Sequence, residues 1–166
     1  MHETGKTSCL KCSEDGNGMN TSFTGTQSAD GCLCKAGYSR VLTYSDSGTT
    51  RTCVMCVAGK YKAQIDAYGP EPTQHPPCDM CVAGTYAESS GATACGGRCT
   101  VGTYLPGTGA TSSTACVSCA AGKASDTLDA SNEGVCLDCN PGSFSSAIGS
   151  SACLQCAAGN YSESIG

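Results

Sequence analysis

The sequence predicts a small disulfide-rich fold. It is an elongated tandem array of disulfide-closed, β-hairpin-like loops, with little helix and no single hydrophobic core. Three observations predict it. The 166 residues include 16 cysteines. Leu, Ile, Val and Phe together number 19, about 11% of the chain, well under the roughly 20% that an ordinary core needs. The cysteines recur in close pairs at a repeated spacing. A domain of this length normally buries about two-thirds of its unfolded surface, and this composition cannot do so. A compact α/β enzyme and a helix bundle are therefore excluded. Weakly hydrophobic chains otherwise stay disordered, but cysteine at this density supplies crosslinks in place of a core.

A cysteine framework of this kind persists only in an oxidising compartment, so the expected location is extracellular or at the cell surface. The formal charge is −5. The nine Lys and Arg read as scattered, with no basic patch to neutralise phosphates, so nucleic acid is not an expected partner. An anionic membrane surface is an equally poor one. No run of about 18 apolar residues is present to insert in a bilayer. Met1-His2-Glu3-Thr4-Gly5-Lys6 lacks the apolar stretch of an export signal. The expectation is that the sequence is a processed piece, or a segment, of something longer.

Internal repetition dominates the chain. The pairs are Cys9/Cys12, Cys32/Cys34, Cys53/Cys56, Cys78/Cys81, Cys95/Cys99, Cys116/Cys119, Cys136/Cys139 and Cys153/Cys156. After most pairs comes x-x-Gly-x-aromatic: Gly59/Tyr61, Gly84/Tyr86, Gly102/Tyr104, Gly142/Phe144 and Gly159/Tyr161. Two units depart from the rule. Tyr38 follows Gly37 one place early, and Ala124 stands where the unit of Gly122 should have its aromatic. The glycine takes a positive φ without steric cost, which suits a tight turn beside a crosslink. The aromatic is expected to lie on a disulfide and cover it. The Ser/Gly/Ala/Thr tract before the next cysteine, as in 145–152, reads as a turn between short extended segments. No 3.6-residue apolar period is sustained, so almost no helix is expected. Steps between pairs run from 14 to 22 residues, a variation that loops tolerate because closure entropy changes slowly with length.

The pattern C-x-x-C-x-x-G-x-[YF], a small-residue loop and another C-x-x-C resembles the ephrin-receptor-like cysteine-rich repeat of extracellular and protist surface proteins. The single loop is also similar to the first crosslinked loop of tumour-necrosis-factor-receptor modules. The best matches run from Cys81 to Cys99 and from Cys139 to Cys156. The expected organisation is divergent cysteine-rich units over 1–52 and tandem repeats over 53–166, the last incomplete. The resemblance is specific for an extracellular disulfide array and for no activity.

Two regular ladders can connect the cysteines, and sequence alone does not fix which. In one, both members of a pair bond both members of the next, as in Cys53–Cys78 with Cys56–Cys81. In the other, each pair's second cysteine bonds the next pair's first. That gives Cys12–Cys32, Cys34–Cys53, Cys56–Cys78, Cys81–Cys95, Cys99–Cys116, Cys119–Cys136 and Cys139–Cys153. The resemblance to receptor modules favours the serial ladder, because each Gly-x-Tyr then sits in its own loop. Closing a loop of about 15 residues stabilises by about 3 kcal/mol in the chain-entropy model. The serial ladder leaves Cys9 and Cys156 as a candidate inter-subunit pair. Copies joined head-to-tail through it would form a filament, since such a contact does not close on itself. The bland reading is that both ends are arbitrary borders.

Chemistry is sparse. C-x-x-C pairs bind zinc elsewhere, but only His2 and His75 accompany them here. The stretch Glu14–Asn20 lacks the alternating acids and distal Glu of a calcium loop. Two histidines and oxidised cysteines assemble no catalytic set, so neither enzyme activity nor a cofactor is expected. The proline-rich insertion Gly69–Pro77 reads as a stiff solvated loop. Asn20-Thr21-Ser22 and Asn160-Tyr161-Ser162 are sequons, making Asn20 and Asn160 candidate N-glycosylation sites. Thr108–Thr114 is a candidate for O-linked sugar. The sequence thus reads as a glycosylated rod, coat or fibre element of a surface appendage or matrix. Each unit is expected to touch only its neighbours. The alternative is a receptor-like or adhesive ectodomain.

Overall fold

The computed structural model describes residues 19–20, 33–45, 48–64 and 77–163. Within them the chain is a series of two-stranded antiparallel hairpins and no larger sheet. In most units the strand after the glycine pairs with the two residues between the next pair of cysteines. Lys60–Tyr61 pairs with Asp79–Met80, and Thr85–Tyr86 with Gly97–Arg98. Thr103–Tyr104 pairs with Val117–Ser118, Lys123–Ala124 with Leu137–Asp138, and Ser143–Phe144 with Leu154–Gln155. Helix among the described residues is limited to the 3₁₀ turns Ser113–Ala115 and Glu133–Val135. Ser112 and Asn132 cap them, their side chains accepting from Thr114 and Gly134 N–H.

One hairpin is longer. Tyr38–Ser45 pairs with Gly48–Met55 over eight residues. The unit that carries it keeps the common turn, because Gly37 has φ +84° and Tyr38 N–H donates to Lys35 carbonyl at 3.1 Å. The early aromatic therefore changes the hairpin and not the turn. The strand Gly48–Met55 runs across the 52/53 border expected between divergent and regular units.

Fixed backbone bonds join each unit to the next. We name units by their opening cysteine. In the Cys81 and Cys99 units, Cys99 N–H donates to Gly84 carbonyl and Gly84 N–H to Leu105 carbonyl. Ala87 N–H donates to Ala110 carbonyl, and Gly109 N–H returns to Cys81 carbonyl. The same four bonds, at 2.7 to 3.1 Å, join the Cys56 and Cys81, the Cys99 and Cys119, and the Cys119 and Cys139 units. None of these positions lies in the part of the loop whose length varies. Loop length and stacking are thus independent.

A further contact skips one unit. Gly37 lies under the Gly91 carbonyl, Gly59 under that of Gly109, Gly84 under that of Asp129, and Gly102 under that of Gly149. Each of these partners is two units ahead. A Cβ on any of the four would fall deep inside van der Waals contact of that carbonyl. The expectation that each unit touches only its neighbours is therefore corrected: contacts reach the second unit ahead. The reason is steric, since glycine lets two backbones approach where a side chain would separate them.

Burial follows the crosslinks. Cys34, Cys56, Cys81, Cys99, Cys119 and Cys139 are each 1% exposed or less, and the other buried apolar groups are mainly alanines and Leu105. The aromatics whose burial is described are half-buried or exposed, and Tyr161 is 80% exposed. The Tyr86 ring lies against Gly97, its cross-strand partner. The Tyr86 ring thus meets the glycine backbone across the hairpin.

Gly84→Ala should destabilise the array. A left-handed φ costs about 1–2 kcal/mol, and overpacking against Asp129 about 1–3 kcal/mol. Thermal unfolding should show a midpoint at least about 5 °C lower. Gly96→Ala, whose Cβ meets nothing within 4 Å, should leave it unchanged.

Candidate functional site

The chemistry this chain carries is its crosslinked spine. Six disulfides close among the described residues: Cys34–Cys53, Cys56–Cys78, Cys81–Cys95, Cys99–Cys116, Cys119–Cys136 and Cys139–Cys153. They run serially, second cysteine to next first. Their Cα separations of 5.5 to 5.7 Å lie within the ordinary range. Cys9, Cys12 and Cys32 lie outside the described residues, and so do the Glu14–Gly18 part of the calcium-like stretch, His2, His75 and most of the proline-rich insertion.

Cys156 is a half-buried free thiol. Its N–H donates to Gly142 carbonyl at 2.9 Å. That is the bond made at the same position by Cys56, Cys81, Cys99, Cys119 and Cys139, all of them disulfide-bonded. Its backbone is therefore set as in the units that close a loop. Asn160 is exposed, directly after the turn glycine, with its N–H on Ala157 carbonyl. The carbonyl of Ser162, the third sequon residue, accepts from Gly142 N–H at 3.1 Å. Asn20 is described through its backbone, which pairs with Leu33.

Each junction also has a side-chain seat that sequence reasoning missed. The residue just before a pair's second cysteine meets the turn residue of the following unit. Met55 meets Gly91, Met80 meets Gly109, and Ser118 meets Gly149. The Cys119 unit has Asp129 at this turn, with φ 56°, the one non-glycine positive φ among the described residues. Facing it is Arg98, whose Nη1 lies 2.5 Å from Asp129 Oδ2. Where the turn residue gains a carboxylate, its partner is a cation. Lys123 Nζ lies 2.6 Å from Asp138 Oδ1, its cross-strand neighbour.

Tyr86, Ala87, Glu88, Ser89, Gly96 and Gly97 line a shallow open cleft in the Cys81 unit. Within it Gly97 stands where later units have Val117, Leu137 and Leu154. Among the described residues no group of three His, Cys, Asp or Glu is placed to hold a metal ion. No described helix is long and apolar enough to cross a membrane.

The cations are not scattered, which corrects that expectation. Residues 33–62 hold Lys35, Arg40, Arg51, Lys60 and Lys62, five of the nine, against one acid, Asp46. Residues 63–166 hold two cations against nine acids. The contrast was countable in the sequence. It was missed because pairing by unit, which brings 33–62 together, is a property of the fold.

Residues 127–166 match the family model of the tyrosine-protein kinase ephrin type A/B receptor-like repeat. No curated protein matches the chain. The matched stretch contains the Cys139 unit, and its turn, glycine bonds and serial disulfide recur upstream as far as Cys34. Residues 127–166 thus carry an ephrin-receptor-like cysteine-rich repeat, an extracellular receptor-like module. With its disulfides, this identifies an extracellular or secreted protein.

Two outcomes test the site. Peptide mapping of the unreduced protein should recover the six serial crosslinks and none that joins one pair to both members of the next. Arg98→Met should cost about 0.2–1 kcal/mol, as an exposed ion pair does. Adding Asp129→Gly should recover that loss, because it recreates the Met80/Gly109 junction; a double-mutant cycle in chemical denaturation measures it.

Proposed function

We propose that this chain is a structural element of a cell-surface appendage, coat or matrix. It works as a crosslinked rod that copies extend head-to-tail into filaments, and it has no catalytic role. The observation that supports this is the repetition of one junction. Four identical backbone bonds and a glycine seat recur from unit to unit, while the loops between them differ in length and carry bland Ser, Gly, Ala and Thr. A ligand-binding ectodomain concentrates aromatic and Arg anchors at one place. Here the invariant features face the next unit.

Covalent extension would run from Cys156 of one copy to Cys9 of the next. In support, Cys156 is a free thiol held by the backbone bond of the loop-closing cysteines. N-linked glycan on Asn160 and Asn20, and O-linked sugar on 108–114, would hydrate a surface that bears 14% charged residues. Asn160 is exposed, as glycosylation requires. The receptor-like or adhesive reading is favoured by the open cleft beside Tyr86 and by the family match.

Electron microscopy of native material, with non-reducing electrophoresis, tests the proposal. It expects filaments and a reducible ladder of multimers that Cys156→Ser abolishes. Monomers that capture a soluble protein through the Tyr86 cleft would establish the receptor reading instead.

A further inference from the structure

The array carries one cationic block, residues 33–62, between acidic stretches, and that block is preorganised. The Cys34 and Cys56 units are bonded to each other, Gly37 N–H donating to Lys62 carbonyl at 2.9 Å and Cys56 N–H to Gly37 carbonyl at 2.9 Å. This gathers the five cations of 33–62 on one two-unit block. They fall into three kinds of position. Arg40 and Lys62 occupy the same place, three residues after the turn glycine, and both are engaged within the protein. Arg51 stands in the second strand of the long hairpin, where its backbone pairs with Leu42. Lys35 is exposed and Lys60 half-exposed. Lys35 Nζ lies 5.2 Å from the centroid of the Tyr38 ring, a cation–π contact that orients it without neutralising it.

Downstream the pattern reverses. Both cations of 63–166 are satisfied internally, Arg98 by Asp129 and Lys123 by Asp138. Asp79, Glu88, Asp126, Glu133 and Glu163 are exposed and form no ion pair with a described residue. Accessible positive charge is thus left at Lys35 and Lys60 on one block and accessible negative charge on the units that follow it. Asp79 and Glu88 adjoin the block, but Asp126, Glu133 and Glu163 lie in units beyond the next but one from it, where none of the inter-unit contacts described reaches.

We propose that the block 33–62 is a docking surface for the acidic units of a second copy, so that neighbouring rods associate side by side with a stagger. The inference extends the structural reading above and rests on it. Charge complementarity selects the occupant. A sulfated polysaccharide would also meet the cations, but lying along the rod it would face nine acids beyond them. A staggered copy matches opposite charge along its length. Single exposed pairs are weak, so the association needs several at once and fades as the screening length falls below about 10 Å, near 0.1 M salt.

Sedimentation velocity on the full oxidised chain, with free thiols alkylated, tests this without the covalent route. At 50 mM salt the protein should self-associate, and at 500 mM it should sediment as a monomer. Lys35→Glu with Lys60→Glu balances the block's cations and acids and should weaken association at least tenfold at 50 mM. Asp126→Lys with Glu133→Lys should weaken it comparably, and the four substitutions together should restore it. Association that ignores salt and these substitutions overturns the proposal, as does a monomer at every salt concentration. Dextran sulfate retained through Lys35 and Lys60 by a chain that stays monomeric also overturns it, in favour of a polysaccharide partner. Filaments in native material that persist through any of these failures would leave the structural reading standing. Their absence would remove that reading instead.

Discussion

The array depends on one residue doing two things at once. At Cys56, Cys81, Cys99, Cys119 and Cys139 the second cysteine of a pair closes its loop through Sγ, and its peptide group ties neighbouring units together. Cys81 shows both. Its side chain bonds Cys95, its N–H donates backward to Gly59 carbonyl, and its carbonyl accepts forward from Gly109 N–H. Buried peptide groups must be paired, because an unmet one costs the full desolvation of that group. The cysteine position meets this requirement by itself, and it is the most buried position in the repeat. A chain with 19 large aliphatic or Phe side chains has no interior in which such a node could hide. The neighbouring units are its interior.

This division of labour leaves much of the sequence free. The side-chain seat between units accepts a methionine against glycine, a serine against glycine, or an arginine against aspartate. The position three residues after the turn glycine holds a buried lysine, an alanine, a leucine or a serine, and its backbone bonds are the same in each. Variation at these places changes charge and polarity without changing the stacking. The contrast between a cationic block and an acidic remainder therefore sits on a scaffold indifferent to it.

Much of this was legible in the sequence, and what was not has a common cause. Cysteine spacing and the glycine after each pair are local signals, and they gave the hairpin series, the near-absence of helix and the turn at Gly59, Gly84, Gly102 and Gly142. The small-residue tracts read as turns, and Gly91, Gly109 and Gly149 stand at their positive-φ positions. What stayed hidden is between units. No spacing rule says that Gly84 lies beneath Asp129, or that Met80 and Gly109 meet. Such contacts depend on how far each unit turns relative to the last. The contact of the Tyr86 ring with Gly97 stayed hidden for the same reason. That glycine belongs to a pair with one extra residue, Cys95-Gly96-Gly97-Arg98-Cys99.

The glycine seats also set a timetable for synthesis. Gly37 is covered by Gly91, Gly59 by Gly109, and Gly84 by Asp129, so each seat waits for roughly fifty more residues to be added. Chains fold from the N-terminus as they emerge. A unit can therefore be oxidised and paired with its neighbour while its seat is still vacant, and at every moment two such unfinished units trail the finished part. An oxidoreductase or glycosyltransferase meeting the growing chain always finds the same short window of exposed backbone, which moves along the molecule at the pace of translation.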